Sequence, residues 1–266
     1  MPRASLVLPM NSTNFELPQY LNRIGMHSAA RADIASITEI MRCQLFSVPF
    51  ENLDVQAGKA VSLVAEDIVD KLVHHHRGGY CFEVNGLFAM ALGALGVEYQ
   101  FVAARPLLFA HLRPKTHMAL VVNLQGEKWL CDLGFGSYGI RAPMRLDALE
   151  VALQQDGEVF QLGKLKPHEY VVQALVDGKW QSQYSFDLSP QEWVDFEPAN
   201  YFSYANPESI FVKKLLVVLH TPDGRKILFG DAFKTVAQGK TVRQLLKPQD
   251  RARILRDEFG LELDAI

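Results

Sequence analysis

Arg77-Gly78-Gly79-Tyr80-Cys81-Phe82-Glu83-Val84-Asn85-Gly86 is the stretch from which the rest of the chain can be read. Phe88, Leu92 and Leu95 recur at i, i+4 and i+7 up to Gly96, so a helix is expected to begin near Cys81, just after the two glycines. A thiol at a helix start meets unpaired backbone N–H groups and the positive end of the helix, and both favour the thiolate. Cys81 is therefore a candidate nucleophile. The other reading is a small buried hydrophobe, and position alone leaves both open.

Upstream, the chain reads as helices. Leu17, Leu21 and Ile24 repeat at helical spacing before Gly25, and Ile34, Ile37, Met41 and Leu45 do so before Pro49. A third helix is expected from about Glu66 to His76, with Ile68, Val69, Leu72 and Val73 on one face. Downstream of Gly96 the period changes to two. Val97, Tyr99 and Phe101 alternate with polar residues, and strands are expected at His117–Leu124, Trp129–Leu133, Tyr170–Val176 and Trp180–Leu188. Gln125-Gly126-Glu127-Lys128 and Asp177-Gly178-Lys179 read as hairpin loops. Beyond Ser189, Pro190, Pro198 and Pro207 mark an irregular stretch. Strands at Leu215–Thr221 and Lys226–Phe229 follow, then a charged helix from about Pro248 to Glu258. No internal repeat or low-complexity linker separates these parts, so they are expected to pack as one body.

A cysteine nucleophile needs a base and a group to orient it. His117 opens an apolar strand, and Asp132 ends another in Trp129-Leu130-Cys131-Asp132-Leu133-Gly134-Phe135-Gly136. A carboxylate there is costly to bury unless paired, and an imidazolium would serve. A hairpin turning at Gly126-Glu127 sets His117 opposite Gly136 and Asp132 opposite Val121. The two side chains then share a face but stand four positions apart, about 13 Å. Contact between them requires a bulge or a strand break.

The 266 residues (29.9 kDa) are 48% hydrophobic and 21% charged, which excludes collagen-like, disordered and disulfide-scaffold classes. With 27 basic and 30 acidic side chains the net charge is −3, so nucleic acid is a poor candidate partner. Cys43, Cys81 and Cys131 cannot all pair within one chain, which favours a reducing, cytoplasmic compartment. Leu6-Val7-Leu8, interrupted by Pro9, falls short of a signal sequence, no run is long enough to span a bilayer, and a flexible start is expected. His74-His75-His76 is not read as a metal site, because consecutive helical residues point about 100° apart.

These segments together resemble the arylamine N-acetyltransferases. The resemblance rests on Val48-Pro49-Phe50-Glu51-Asn52-Leu53-Asp54-Val55, Arg77 to Glu83, Asn85-Gly86-Leu87-Phe88, Thr116-His117 and Asp132-Leu133-Gly134-Phe135-Gly136, in this order. Asn200-Tyr201-Phe202-Ser203 and Pro207-Glu208-Ser209-Ile210-Phe211 extend it. It implies an α+β fold with a helical N-terminal domain (1–96), a central antiparallel β-barrel (97–198) and a C-terminal α/β lid (199–266), around a catalytic core like that of cysteine proteases and transglutaminases. It makes Cys81 the nucleophile, His117 the base and Asp132 the orienter, with Arg77 and Glu51 as structural support. Phe50, Phe135 and Phe211 would line the acyl and arylamine site, and Thr116, Gly134 and Gly136 would lie near coenzyme A. Cys131 stands where an aliphatic residue is usual, and Tyr204-Ala205-Asn206-Pro207 departs from the family pattern.

The implied activity is transfer of acetyl from acetyl-CoA to an arylamine or hydrazine, without a metal, as in xenobiotic metabolism. Lys213-Lys214 and Arg225-Lys226 could meet the donor's phosphates. Rival readings are a biosynthetic amide synthase on the same fold, a cysteine hydrolase or transglutaminase-like enzyme, and a non-catalytic small-molecule binder.

Overall fold

The computed structural model describes residues 10–262, so the Leu6-Val7-Leu8 segment lies outside the described residues. The helices that position the site are α1 (Leu17–Arg23), α2 (Ile34–Ser47), α3 (Leu53–Gln56), α4 (Ala65–Val69) and α5 (Cys81–Ala94). The third expected helix is broken. After α4 the chain loosens into a π-helical turn, Asp70–His74, in which His75 N–H reaches back to the Asp70 carbonyl. The Nδ1 atoms of His74 and His75 lie 3.2 and 3.3 Å from the two oxygens of Asp70, and among the described residues no group of three or more His, Cys, Asp or Glu side chains is placed to hold a metal ion.

Strand β1 (Phe50–Glu51) precedes the nucleophile helix. The central strands are β2 (Glu98–Pro106), β3 (His117–Leu124), β4 (Glu127–Cys131), β5 (Met144–Arg145), β6 (Leu153–Gln155), β7 (Glu158–Lys166), β8 (Glu169–Val176) and β9 (Lys179–Phe186). They form one antiparallel eight-stranded sheet, ordered β5-β4-β3-β2-β9-β8-β7-β6, which curls into a half-barrel. Leu149, beyond β5, bridges to Leu162 of β7 and draws the two ends of the sheet together. The β6–β7 hairpin was not anticipated, although Phe160 and Leu162 alternate inward as a half-buried strand should.

The last third begins with α6 (Glu197–Ala205) and α7 (Ile210–Lys213). Pro198 suggested an irregular stretch, but it occupies the first turn of α6, where a missing N–H costs nothing. Strands β10 (Leu216–Thr221), β11 (Gly224–Phe229), β12 (Ala232–Ala237) and β13 (Lys240–Leu245) follow, then α8 (Arg251–Phe259). Every residue of β13 is exposed, so the strand carries no apolar alternation for sequence reasoning to detect. These strands and β1 form a five-stranded sheet ordered β1-β10-β11-β12-β13, which ties the segment before the nucleophile to the C-terminal third.

The β3–β4 hairpin corrects the sequence reading in a way that matters for the site. Its turn is Gln125-Gly126, both at positive φ (53° and 82°), so Leu124 faces Glu127 and Leu120 faces Cys131. Continued one step, this register sets Asp132 across from Ala119, two positions from His117 rather than four. That leaves roughly 7 Å along the strand, a gap that two side chains span. Among the described residues no helix is long and apolar enough to cross a membrane.

Candidate active site

Cys81 is the first residue of α5, and its approach is braced by buried charge. Gly78 and Gly79 are dictated by close packing: a Cβ on Gly78 would sit 2.0 Å from the Pro49 carbonyl oxygen, and one on Gly79 2.6 Å from the Glu83 carboxylate. Arg77 donates to Glu51 at 2.8 Å and to Asp54 at 3.2 Å, while Lys71 bridges Asp54 and Glu83 at 2.5 and 2.6 Å. The free oxygen of Glu83 accepts the Tyr80 N–H at 2.9 Å, which closes the helix start. Tyr80 also bonds Asn200 of α6 through its hydroxyl.

His117 opens β3, paired with Ala104 of β2, and Asp132 follows the last residue of β4. Both are buried, and His117 Nε2 lies 2.8 Å from Asp132 Oδ2. The other oxygen, Oδ1, accepts Gly134 N–H at 2.9 Å and Asn85 Nδ2 at 3.1 Å. Asn85 stands one helical turn beyond Cys81, on the same face of α5. Its Nδ2 also donates to the Met118 carbonyl at 2.7 Å, and its Oδ1 accepts Leu133 N–H at 2.9 Å. One side chain thus ties the nucleophile helix to both strands of the hairpin. Sequence reasoning quoted Asn85 without giving it this role; the i+4 offset from Cys81 was the available signal.

Burial alone would lower the His117 pKa, but the charge and hydrogen bond of Asp132, and then the Cys81 thiol, outweigh it and raise it to about 10. Burial pushes the Asp132 carboxyl up, yet His117, Asn85 and the Gly134 amide together hold it below its ordinary value. With Nε2 engaged by Asp132, Nδ1 is the imidazole nitrogen left for Cys81, whose sulfur also lies 3.8 Å from the Thr116 carbonyl oxygen. Cys131 is fully buried on the other side of the strand, where burial and then the Asp132 charge push its thiol pKa up.

Cys81 and His117 open on a cavity of about 350 Å³. Phe50, Phe135 and Phe211 line it, as do Thr116, Gly134 and Gly136. Close packing again explains the glycines: a Cβ on Gly134 would fall 2.6 Å from Cys81 Cα, and one on Gly136 2.7 Å from the Phe50 ring. The remaining wall includes residues to which the sequence reading gave no role in the site, among them Phe109, Arg113, Ser137, Phe202 and Phe229. A second cavity, of about 480 Å³, shares Phe229 and is lined by Lys213, Lys214, Lys234, Arg243 and Arg251. Of the four cations singled out for phosphates, Arg225 is instead buried against Glu158 at 2.5 Å and beneath the Tyr138 ring, and Lys226 pairs with Glu258 at 2.8 Å.

A thiol and an imidazole on an apolar cavity, with a carboxylate buried behind the imidazole where a helix meets an antiparallel half-barrel, are groups that could serve nucleophilic acyl transfer. The N-acetyltransferase family model matches residues 33–266. The chain is 34% identical to the arylamine N-acetyltransferase of Escherichia coli, over 93% of this chain and 89% of that protein. It is 33% identical to the arylamine N-acetyltransferase / N-hydroxyarylamine O-acetyltransferase of Salmonella typhimurium, over 94% and 90%. The solved structure of the S. typhimurium enzyme superposes with a TM-score of 0.87, at 32% identity over 92% of this chain and 90% of that one. That of the Mycobacterium marinum enzyme in complex with CoA gives 0.88, at 31% identity over 94% of each chain. The chain belongs to the arylamine N-acetyltransferase family and is an acyltransferase.

Proposed function

We propose that this enzyme carries acetyl from acetyl-CoA to arylamines and hydrazines in two half-reactions through an acetyl group on Cys81. The observation that carries the reading is that Cys81 and His117 face one apolar cavity while the far nitrogen of His117 is held by buried Asp132. In the first half-reaction Cys81 passes its proton to His117 and its sulfur attacks the thioester carbonyl. The C–S bond to coenzyme A breaks, and the proton on His117 goes to the departing thiolate. In the second, the neutral amine nitrogen attacks the acetyl carbonyl and gives a proton to His117, and the bond to Cys81 breaks. Asp132 fixes the tautomer and stabilises the imidazolium. The Cys81 amide, in the first turn of α5, has no acceptor within the helix and serves as a donor to the tetrahedral oxyanion.

Phe50, Phe135 and Phe211 supply flat apolar surface for the acceptor ring, and Thr116, Gly134 and Gly136 bring backbone close to the donor's thioester arm. The phosphates of coenzyme A fall to the second cavity, where Lys214, Lys234 and Arg243 gather positive charge. Three free cysteines fit a reducing, cytoplasmic setting. The amide-synthase and hydrolase readings have no feature of their own in this site to favour them.

The test is intact mass and peptide mapping after mixing with acetyl-CoA. One added acetyl group on Cys81, absent from Cys81→Ala and from Cys81→Ser, is the expected result. Label on Cys43 or Cys131 with Cys81 clean would overturn the assignment. For the donor, Lys214→Ala and Arg243→Ala should raise the KM for acetyl-CoA more than that for p-nitrophenyl acetate, which has no phosphate.

A further inference from the structure

Apart from the Cys81 thiol, the wall of the main cavity is apolar or hydroxylic except at His117 and Arg113. Arg113 stands in the connection between β2 and β3, half-buried, with Arg105 donating to its backbone carbonyl. Its guanidinium carbon lies 4.8 Å from the centroid of the Phe109 ring, and its Nη1 makes one long contact, 3.4 Å, to the carbonyl of Glu208. The carboxylate of Glu208 is engaged by Lys213 at 2.6 Å. Among the described residues no carboxylate stands within ion-pair distance of Arg113, although its charge, after that of Lys213, helps hold the Glu208 carboxyl below the ordinary value, and the guanidinium lines the cavity beside the Phe109 ring.

We infer that Arg113 is a specificity-determining residue that receives a carboxylate carried on the ring of the acceptor, so that the site selects anionic arylamines of the aminobenzoate kind. The inference rests on the acetyl-transfer reading above. A guanidinium offers parallel N–H groups that match a carboxylate in a two-bond fork, which an ammonium cannot do. Arg113 is half-buried beside the partly exposed Phe109, so a pair formed there is screened less than one on a fully open surface. The aniline nitrogen of an aminobenzoate is uncharged at neutral pH. One end of the ring can therefore attack the acetyl group on Cys81 while the other end is held, and the carboxylate itself takes no part in bond making.

The experiment isolates the second half-reaction. Cys81 is acetylated with p-nitrophenyl acetate, and its discharge is followed with 4-aminobenzoate, 3-aminobenzoate, the neutral 4-aminobenzamide and aniline. The better of the two aminobenzoates should show an apparent KM about ten- to a hundred-fold below that of the amide, the size of a charge-assisted hydrogen-bonded pair. Arg113→Gln should bring that ratio close to one, and Arg113→Lys should leave it in between. A ratio near one in the wild type, or a ratio unmoved by Arg113→Gln, overturns the inference. So does a variant whose only defect is a raised KM for acetyl-CoA, since Arg113 would then serve the donor. If the wild type takes no acetyl on Cys81, or aniline fails to discharge it, the acetyl-transfer reading falls first and takes the inference with it.

Discussion

Behind the His117 side of the cavity, its floor, both oxygens of Asp132 are bound, one by His117 and the other by Asn85 and the Gly134 amide, all within 3.1 Å. The wall across from it is held differently. Phe50 and Phe211 meet at 5.9 Å between ring centroids, Phe211 and Tyr80 at 5.5 Å, and Phe135 leans edge-on against His117 at 5.1 Å. Directional bonds fix the floor to one geometry, whereas the wall is fixed by area and shape, which tolerate substitution. Changes on the floor should therefore appear in the rate of acetylation, and changes in the wall in the binding of the acceptor.

The largest expected effect is that of Asp132→Asn. It leaves the shape intact but removes the charge that sets the imidazole tautomer, so acetyl-enzyme formation should slow by about 10³- to 10⁴-fold in a single-turnover assay. A loss under tenfold would show that the floor does not depend on this pair. The brace behind the floor is a matter of stability. Arg77→Met strands the buried carboxylate of Glu51 and should cost roughly 3–5 kcal/mol in urea unfolding. The corresponding loss for Arg145→Met, whose partners Glu127 and Asp147 are exposed, should be within the range of a surface pair.

The two regions also differ in how well the sequence announces them. Cys81, His117 and Asp132 stand out because each violates its surroundings: a thiol at a helix start, an imidazole at the head of an apolar strand, a carboxylate at the end of one. Their contact could not be computed from the turn residues, since assigning the turn to Gly126-Glu127 instead of Gln125-Gly126 displaces Asp132 by two positions. Phe50 and Phe211 are 161 positions apart in sequence and meet through the pairing of β1 with β10 and the packing of α7, which no local pattern encodes. Phe202 entered the sequence reading only as part of the resemblance, with no role in the site, and Arg113 lies in the irregular β2–β3 connection, where no period marks a residue. Helix α6 was hidden by Pro198, and β13 by an exposed face that needs no apolar period.

A pH measurement sharpens the contrast, because the phenyl rings of the wall carry no titratable group whereas His117 and Asp132 do. His117 has its folded pKa raised to about 10, above the roughly 6.5 of an unfolded chain, so its contribution to stability is full below about 6.5 and is lost as pH rises through about 10. Asp132 has its folded pKa lowered, so its contribution is present above the unfolded value near 3.9 and is lost as pH falls through the depressed one. Iodoacetate carries a negative charge that the imidazolium attracts, whereas iodoacetamide is neutral. The ratio of their alkylation rates at Cys81 should stay high up to about pH 10 and then fall by about ten- to a hundred-fold. In His117→Gln the ratio should be low and flat. A wild-type ratio that already falls near pH 6.5 would mean that Asp132 does not hold the imidazolium.

The smallest effect belongs to the wall. Phe135 is buried and touches both His117 and Tyr184, at 5.1 and 4.9 Å between centroids, so Phe135→Ala removes a face of the proposed acceptor site and a support of the imidazole at once. Aromatic pairing contributes about 0.5–1.5 kcal/mol beyond area, which is a factor of roughly two to twelve. His117 keeps its hydrogen bond to Asp132 in the variant, so the lost support should matter less than the lost face. The apparent KM for aniline should therefore rise by up to about tenfold in the discharge of acetyl-Cys81, while acetylation by p-nitrophenyl acetate slows by less. If acetylation suffers more than discharge, Phe135 acts through His117 and belongs to the floor. If cyclohexylamine discharges the enzyme as fast as aniline does, the aromatic wall selects nothing, because an alkylamine is both non-planar and protonated at neutral pH.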